Sequence, residues 1–137
     1  IAALETIITE LTIDLQLPLA AGTYWHMAAA SIARILEHQG GVLHACEAET
    51  SMLQALSPET VLPLKKSYRT PLVPGLSAIE GVNPGVYRWQ QLATRSKLGL
   101  IGEAWAASPE KGRQLLEAVS ADVADALSNQ KLWTAPI

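Results

Sequence analysis

The sequence predicts an α/β fold, and three features predict it. A helical apolar pattern opens the chain, a short and almost wholly apolar run follows, and a second helical pattern comes directly after. A nearly all-apolar strand placed between helices suggests a sheet covered on both faces.

In the first helix, Leu4, Ile7, Ile8, Leu11 and Leu15 recur at helical spacing and make one apolar face, while Glu5, Thr6, Thr9 and Glu10 fill the other side. Residues 17–25 read as the strand, with Pro18 near its start, where a ladder donor can be missing. Residues 27–38 return to helix, with Ala28, Ile32, Ile35 and Leu36 on one face, and Gly40-Gly41 stops it. Val42-Leu43 then leads into a polar cluster at His44. Residues 47–56 read as a further helix, which Ser57-Pro58 ends or extends by one short turn.

Residues 63–98 form a long irregular segment carrying Pro63, Pro71, Pro74, Pro84, Gly75, Gly81 and Gly85. Segments of this kind serve as functional loops, oligomer contacts or lids. Its aromatics, Tyr68, Tyr87 and Trp89, argue against a disordered linker. The last helix announces itself: Ser108 as N-cap, Pro109 at the first helical position and Glu110 in the first turn. Leu115, Leu116, Val119, Val123 and Leu127 make its buried face, and it should run to about Asn129.

Composition narrows the function classes. A chain of 137 residues fits one domain and is long enough to bury a core. An apolar share of 49% with 17% charged residues is globular. A net charge of -3, with Lys65-Lys66 as the only adjacent basic pair, argues against a nucleic-acid partner. The single cysteine, Cys46, excludes an intrachain disulfide and a Cys-rich zinc site. No apolar run approaches the roughly 20 residues of a membrane span, and no signal-peptide pattern opens the chain, so a cytoplasmic protein without membrane attachment is expected. The chain begins at Ile1 and enters its helical pattern at once, which points to a missing upstream part; a trimmed complete domain is the other reading.

Only one place concentrates reactive groups. His44, Glu47 and Glu49 lie within six residues, with Cys46 between them. Histidine has the side-chain pKa nearest neutrality and suits proton transfer. A nearby carboxylate can orient it or bind a divalent metal. The spacing fits a loop histidine followed by acids in a helix's first turn, and such acids also complement the helix dipole. Cys46 has no histidine at a recognisable triad spacing and reads as a small buried hydrophobe.

The stretch His44-Ala45-Cys46-Glu47-Ala48-Glu49-Thr50-Ser51, with Pro58 and Val61 beyond its helix, resembles the creatininase-family motif His-Ala-Gly-Glu-x-Glu-Thr-Ser. A second stretch, Gly99-Leu100-Ile101-Gly102-Glu103-Ala104 followed by Ala107-Ser108-Pro109-Glu110-Lys111-Gly112, resembles that family's Gly-x-x-Gly-Asp-Pro and Ala-Thr/Ser-x-Glu-Lys-Gly. Two ordered motifs at sensible separation are more specific than either alone. Cys46 departs from the motif glycine, and Glu103-Ala104 from Asp-Pro.

The resemblance implies a three-layer α/β/α creatininase-like sandwich, incomplete in this chain, with residues 1–137 a single domain or its C-terminal portion. It implies a metal-dependent amidohydrolase that hydrolyses a C–N bond in a cyclic or linear amide, with a two-metal site of zinc or manganese in the complete enzyme. The family's ligands come from a Glu-x-His, a following Asp and an Asn-Gly-His. None occurs here: the histidines are His26, His38 and His44, and Asp14 is the sole aspartate before position 122. The chain alone is therefore expected to hold no catalytic metal and to be inactive.

By the same resemblance His44 is the proton shuttle, and Glu49 is a metal ligand or the residue that orients the site. Glu47 reads as structural. Trp25 ends the predicted strand, where ligands of α/β sheets gather; ordinary core burial is the first reading of its side chain, and a wall of a substrate pocket the other. His26 and His38 read as surface or helix-end residues. Family members form homo-oligomers, and Tyr87 and Trp89 suit a subunit contact. The substrate is a small-molecule amide: creatinine, a formamide on a nucleotide precursor, or a peptide-like amide. The competing expectation is a non-catalytic oligomeric or interaction module derived from the fold.

Overall fold

The computed structural model describes residues 2–70, 83, 86 and 88–134. They form helices α1 (Ala2–Leu15), α2 (Tyr24–Met27), α3 (Ala29–Ile35), α4 (Glu47–Leu56), α5 (Pro109–Ser128) and α6 (Gln130–Thr134), with 3₁₀ turns at Pro58–Thr60, Leu92–Thr94 and Ala104–Ala106. No described helix is long and apolar enough to cross a membrane. No strand forms among the described residues. Their extended contacts are two isolated antiparallel bridges, His44 with Ile101 and Thr70 with Gly102.

The expected strand at residues 17–25 is therefore corrected. Residues 17–23 have no regular structure, and residues 24–27 are helical. A strand needs a neighbour to take up its N–H and C=O groups, and residues 17–22 make no backbone hydrogen bond among the described residues. The carbonyl of Thr23 instead accepts the amides of His26 and Met27, which starts α2 early. Without a sheet, the three-layer arrangement is not seen in the described part.

The first helix forms as expected, but its apolar face is not covered: Leu4, Ile7, Leu11 and Leu15 are all exposed. Of the predicted face only Ile8 is half-buried. The helix expected over residues 27–38 is interrupted at Ala28 (φ -101°, ψ 19°) and stops at Ile35 rather than at the glycine pair. The reason is a side chain from elsewhere. The amides of Glu37 and His38 donate to the two carboxylate oxygens of Glu47, at 3.2 and 3.1 Å. Continuing the helix would have turned both amides back onto its own carbonyls.

Helices α4 and α5 match the expectations closely. The Ser108 hydroxyl accepts the Lys111 amide at 3.2 Å, and Pro109 opens α5. The core lies where α3, α4 and α5 meet, with Ala28, Ile32, Leu36, Cys46, Ala48 and Leu115 buried together. Along α5 the predicted face fades toward its end: Leu115 is buried, Leu116, Val119 and Val123 are half-buried, and Leu127 is exposed. Within residues 63–98, the described positions carry the Leu92–Thr94 3₁₀ turn, the Thr70 bridge and short turns such as that closed by the Tyr68 amide on the Lys65 carbonyl. Pro71, Pro74, Gly75, Gly81, Pro84, Gly85 and Tyr87 lie outside the described residues, while Trp89 is exposed.

Helix α5 crosses α4 so closely that a Cβ on Gly112 would lie 2.0 Å from the carbonyl oxygen of Ser51. Alanine at a helix interior normally gains up to about 1 kcal/mol over glycine. At Gly112 the sign should reverse: Gly112→Ala should lose about 1–3 kcal/mol or more to overpacking against backbone. Gly40→Ala, with nothing within 4 Å of the new Cβ, should stay within about 0.5 kcal/mol of wild type. Urea unfolding followed by circular dichroism reads both.

Candidate active site

The residues 44–51 fold as a tight loop running into α4, and nearly every polar side chain in it has a structural task. The Cys46 thiol is wholly buried and its Sγ accepts the Leu43 amide at 3.3 Å. Its backbone is extended (φ -91°, ψ -172°), so the position tolerates a residue other than glycine. The unusual backbone falls one residue earlier, at Ala45, with φ 46°. The Ala45 amide donates to Glu49 Oε2 at 2.5 Å, and its carbonyl accepts the Thr50 hydroxyl at 3.3 Å. The Ser51 hydroxyl is buried and accepts the Ser108 amide at 3.1 Å.

Glu47 is fully buried. Besides the two amides, its Oε1 accepts Lys111 Nζ at 2.8 Å. Lys111 also donates to Glu37 Oε2 at 2.9 Å and to the Ala106 carbonyl at 2.9 Å. A buried carboxylate is tolerable only when paired and fully hydrogen-bonded, and this one is both. Burial by itself would depress the Lys111 pKa, but the hydrogen bonds to Glu47 and Glu37 outweigh it and leave it raised. The same bond to Lys111 holds the exposed Glu37 carboxyl below its ordinary range.

The second motif braces the first. Ile101 exchanges backbone hydrogen bonds with His44, its amide donating at 2.7 Å and its carbonyl accepting at 3.3 Å. Gly102 lies at φ +112°, and a Cβ there would meet Gln39 Oε1 at 2.6 Å and Cys46 Cβ at 3.0 Å. Buried Gln39 ties the parts together: its Oε1 accepts the amides of Glu47 and Glu103, and its Nε2 donates to the Gly41 carbonyl. Glu103, at the motif's Asp position, accepts the Trp105 indole N–H.

His44 stands apart from these neighbours. Its backbone is pinned, yet its imidazole is exposed and makes no hydrogen bond among the described residues. Trp25 is not at a strand end. It lies in α2, is 40% exposed, and meets Tyr24 edge-on at 5.2 Å. Tyr24 borders the motif: burial, then the charges of Glu49 and Cys46, push its pKa up. His26 and His38 are exposed, as expected, and His38 packs on Trp105 at 4.7 Å.

Sequence reasoning thus placed His44 and Glu49 together but missed Lys111, Gln39 and Tyr24. Lys111 had a signal, since it stands inside the second motif. Gln39 and Tyr24 had none.

A family model described as creatinine amidohydrolase matches residues 1–127. The chain belongs to the Creatininase family. No curated protein and no solved structure matches it significantly. Membership supports a hydrolase acting on amides and implies an α/β fold. The family is generally metal-dependent. A zinc site needs three or four converging donors. Among the described residues no three His, Cys, Asp or Glu side chains converge, and Glu49 Oε2 is already bonded to Ala45. These residues do not by themselves fit the metal.

The charge pair that joins the two Creatininase motifs has a measurable signature. Lys111→Met should cost about 3–5 kcal/mol, because it leaves Glu47 buried and unpaired. A base with a raised folded pKa stabilises fully below its unfolded value and loses that contribution as pH rises through the folded one. The stability gap between wild type and Lys111→Met should therefore be constant from pH 7 to about 10.5, the ordinary value for this lysine, and close above it. Urea midpoints from pH 7 to 11.5 check this.

Proposed function

We propose that the protein takes part in hydrolysis of a C–N bond in a small cyclic or linear amide, with His44 carrying the proton. One observation supports this most. In the stretch 44–51, which runs from a loop into α4, Cys46, Glu47, Glu49, Thr50 and Ser51 hold the backbone, while the His44 imidazole is left exposed on a pinned main chain. Amide hydrolysis needs such a group. Water adds to the carbonyl carbon, the C–N bond breaks, and the departing nitrogen must receive a proton because an amide anion is a very poor leaving group. An imidazole titrates near neutrality and can take the proton from water and return it to nitrogen. The exposed indole of Trp25, beside Tyr24, offers a flat apolar wall for the substrate. A metal, zinc or manganese in this reading, would be held by other residues, because the family is generally metal-dependent and these side chains do not gather one; proton transfer is the part of the reaction these residues would supply.

In the full-length protein, His44→Ala should lower turnover of creatinine, an N-substituted formamide or a dipeptide amide, whichever is hydrolysed, by about 10²–10⁴-fold. Its unfolding free energy should change by less than about 0.5 kcal/mol, because the imidazole makes no hydrogen bond among the described residues. Near-normal turnover would remove His44 from the chemistry.

A second reading is favoured by a separate observation. The α1 face of Leu4, Ile7, Leu11 and Leu15 and the following Leu17 and Leu19 are exposed, and the backbone of residues 17–22 makes no backbone hydrogen bond among the described residues. Such surface suits an oligomeric or interaction module. Sedimentation equilibrium at micromolar concentration should show association that Leu11→Glu weakens. A monomer at all concentrations contradicts this second reading and leaves the first untouched.

A further inference from the structure

We propose that Glu49 is a positioning residue for His44, whose carboxylate locks Ala45 in a left-handed conformation and thereby aims the imidazole; the proposal rests on the reading of His44 given above. An L-residue at φ 46° is disfavoured, and alanine has no polar side chain to offset it. The conformation persists because both peptide groups of Ala45 are held, the amide by Glu49 and the carbonyl by Thr50. The residues on either side have contacts of their own. His44 is bridged to Ile101, and Cys46 is buried with its thiol on Leu43. Ala45 is therefore the joint between two anchored points, and its φ sets the direction in which His44 projects from α4.

The geometry also departs from an ordinary helix cap. In a capping box the acid at the third helical position returns to the amide of the N-cap residue. Here the N-cap is Cys46, and the acid at that position, Glu49, reaches past it to Ala45. The bond that would merely close the helix is spent on the left-handed residue that carries His44.

The test uses the full-length protein. NMR reads the His44 ring signals and the Ala45 amide, and turnover is measured on the amides named above. Glu49→Ala should shift and broaden the His44 ring signals, abolish the exchange protection of the Ala45 amide, and lower kcat about tenfold with little change in KM. Adding Ala45→Gly to Glu49→Ala should return the ring signals toward wild type and recover about tenfold in kcat, because glycine adopts the left-handed conformation without penalty. Glu49→Gln keeps an acceptor oxygen and should retain most of both readouts. The Ser108 amide, bonded to Ser51, reports whether the loop remains folded. Unchanged His44 ring signals in Glu49→Ala overturn the proposal, as does a loss that glycine does not rescue. If His44→Ala keeps normal turnover while the ring signals still respond to Glu49, the clamp stands and the catalytic reading of His44 falls.

Discussion

The buried carboxylate of Glu47 is the interaction on which the rest of the described structure depends. It reaches from the first turn of α4 to three places at once: the amides of Glu37 and His38, which end α3, and the ammonium of Lys111, in the first turn of α5. Remove the carboxylate and the two amides lose their acceptor, while Lys111 loses one of its three and the partner that reaches it from α4. The group thus sets where one helix stops and how two others meet. Its charge also suits the N-terminus of α4, where the helix dipole favours an anion.

Around that anchor the main chain approaches itself closely, and glycine is needed where it does. Gly112 lets α5 lie against the Ser51 carbonyl, and Gly102 leaves space for Gln39 and Cys46. These contacts bring the two motifs, more than fifty residues apart in sequence, into one body. The loop carrying His44 is then held from below by α4 and from the side by Ile101. Under the proposed function, an exposed imidazole on a backbone fixed in this way would be pre-organised, meeting a substrate with little reordering of the chain that carries it.

Much of this was legible in the sequence where local signals sufficed. The boundaries of α4 and α5 follow from helix periodicity and from Ser108-Pro109, and both are seen. That a loop histidine precedes acids in the first turn of a helix was also legible. What failed depended on long-range contacts. Nothing local told that α3 would end at Ile35, because the cause is a carboxylate ten residues ahead of Glu37. The left-handed residue could not be read either. The motif's variable glycine position, Cys46, drew attention to itself, but the strained backbone sits at Ala45, which looks unremarkable in the sequence. The strand expected at residues 17–25 failed for the reciprocal reason: an apolar run specifies a strand only when another strand pairs with it, and none does among the described residues.

A buried ion pair is weak evidence of stability, since well-packed apolar residues often replace one without loss. That argument does not transfer to Glu47 and Lys111. An apolar residue at position 47 would leave the amides of Glu37 and His38 without acceptors, and one at position 111 would free the Ala106 carbonyl as well as both carboxylates. Each member serves backbone groups in addition to its partner, so the pair fixes geometry that no shape-matched hydrocarbon would reproduce. The consequence reaches His44. Glu47 begins α4, Glu49 lies two residues further along the same helix, and Glu49 holds the residue next to the imidazole. On the proposal made for Glu49, a shift of α4 relative to α5 would move that carboxylate with it and change the direction of His44. Charge buried at the meeting of two motifs is thus tied through one helix to the aim of the one exposed reactive group in the first motif.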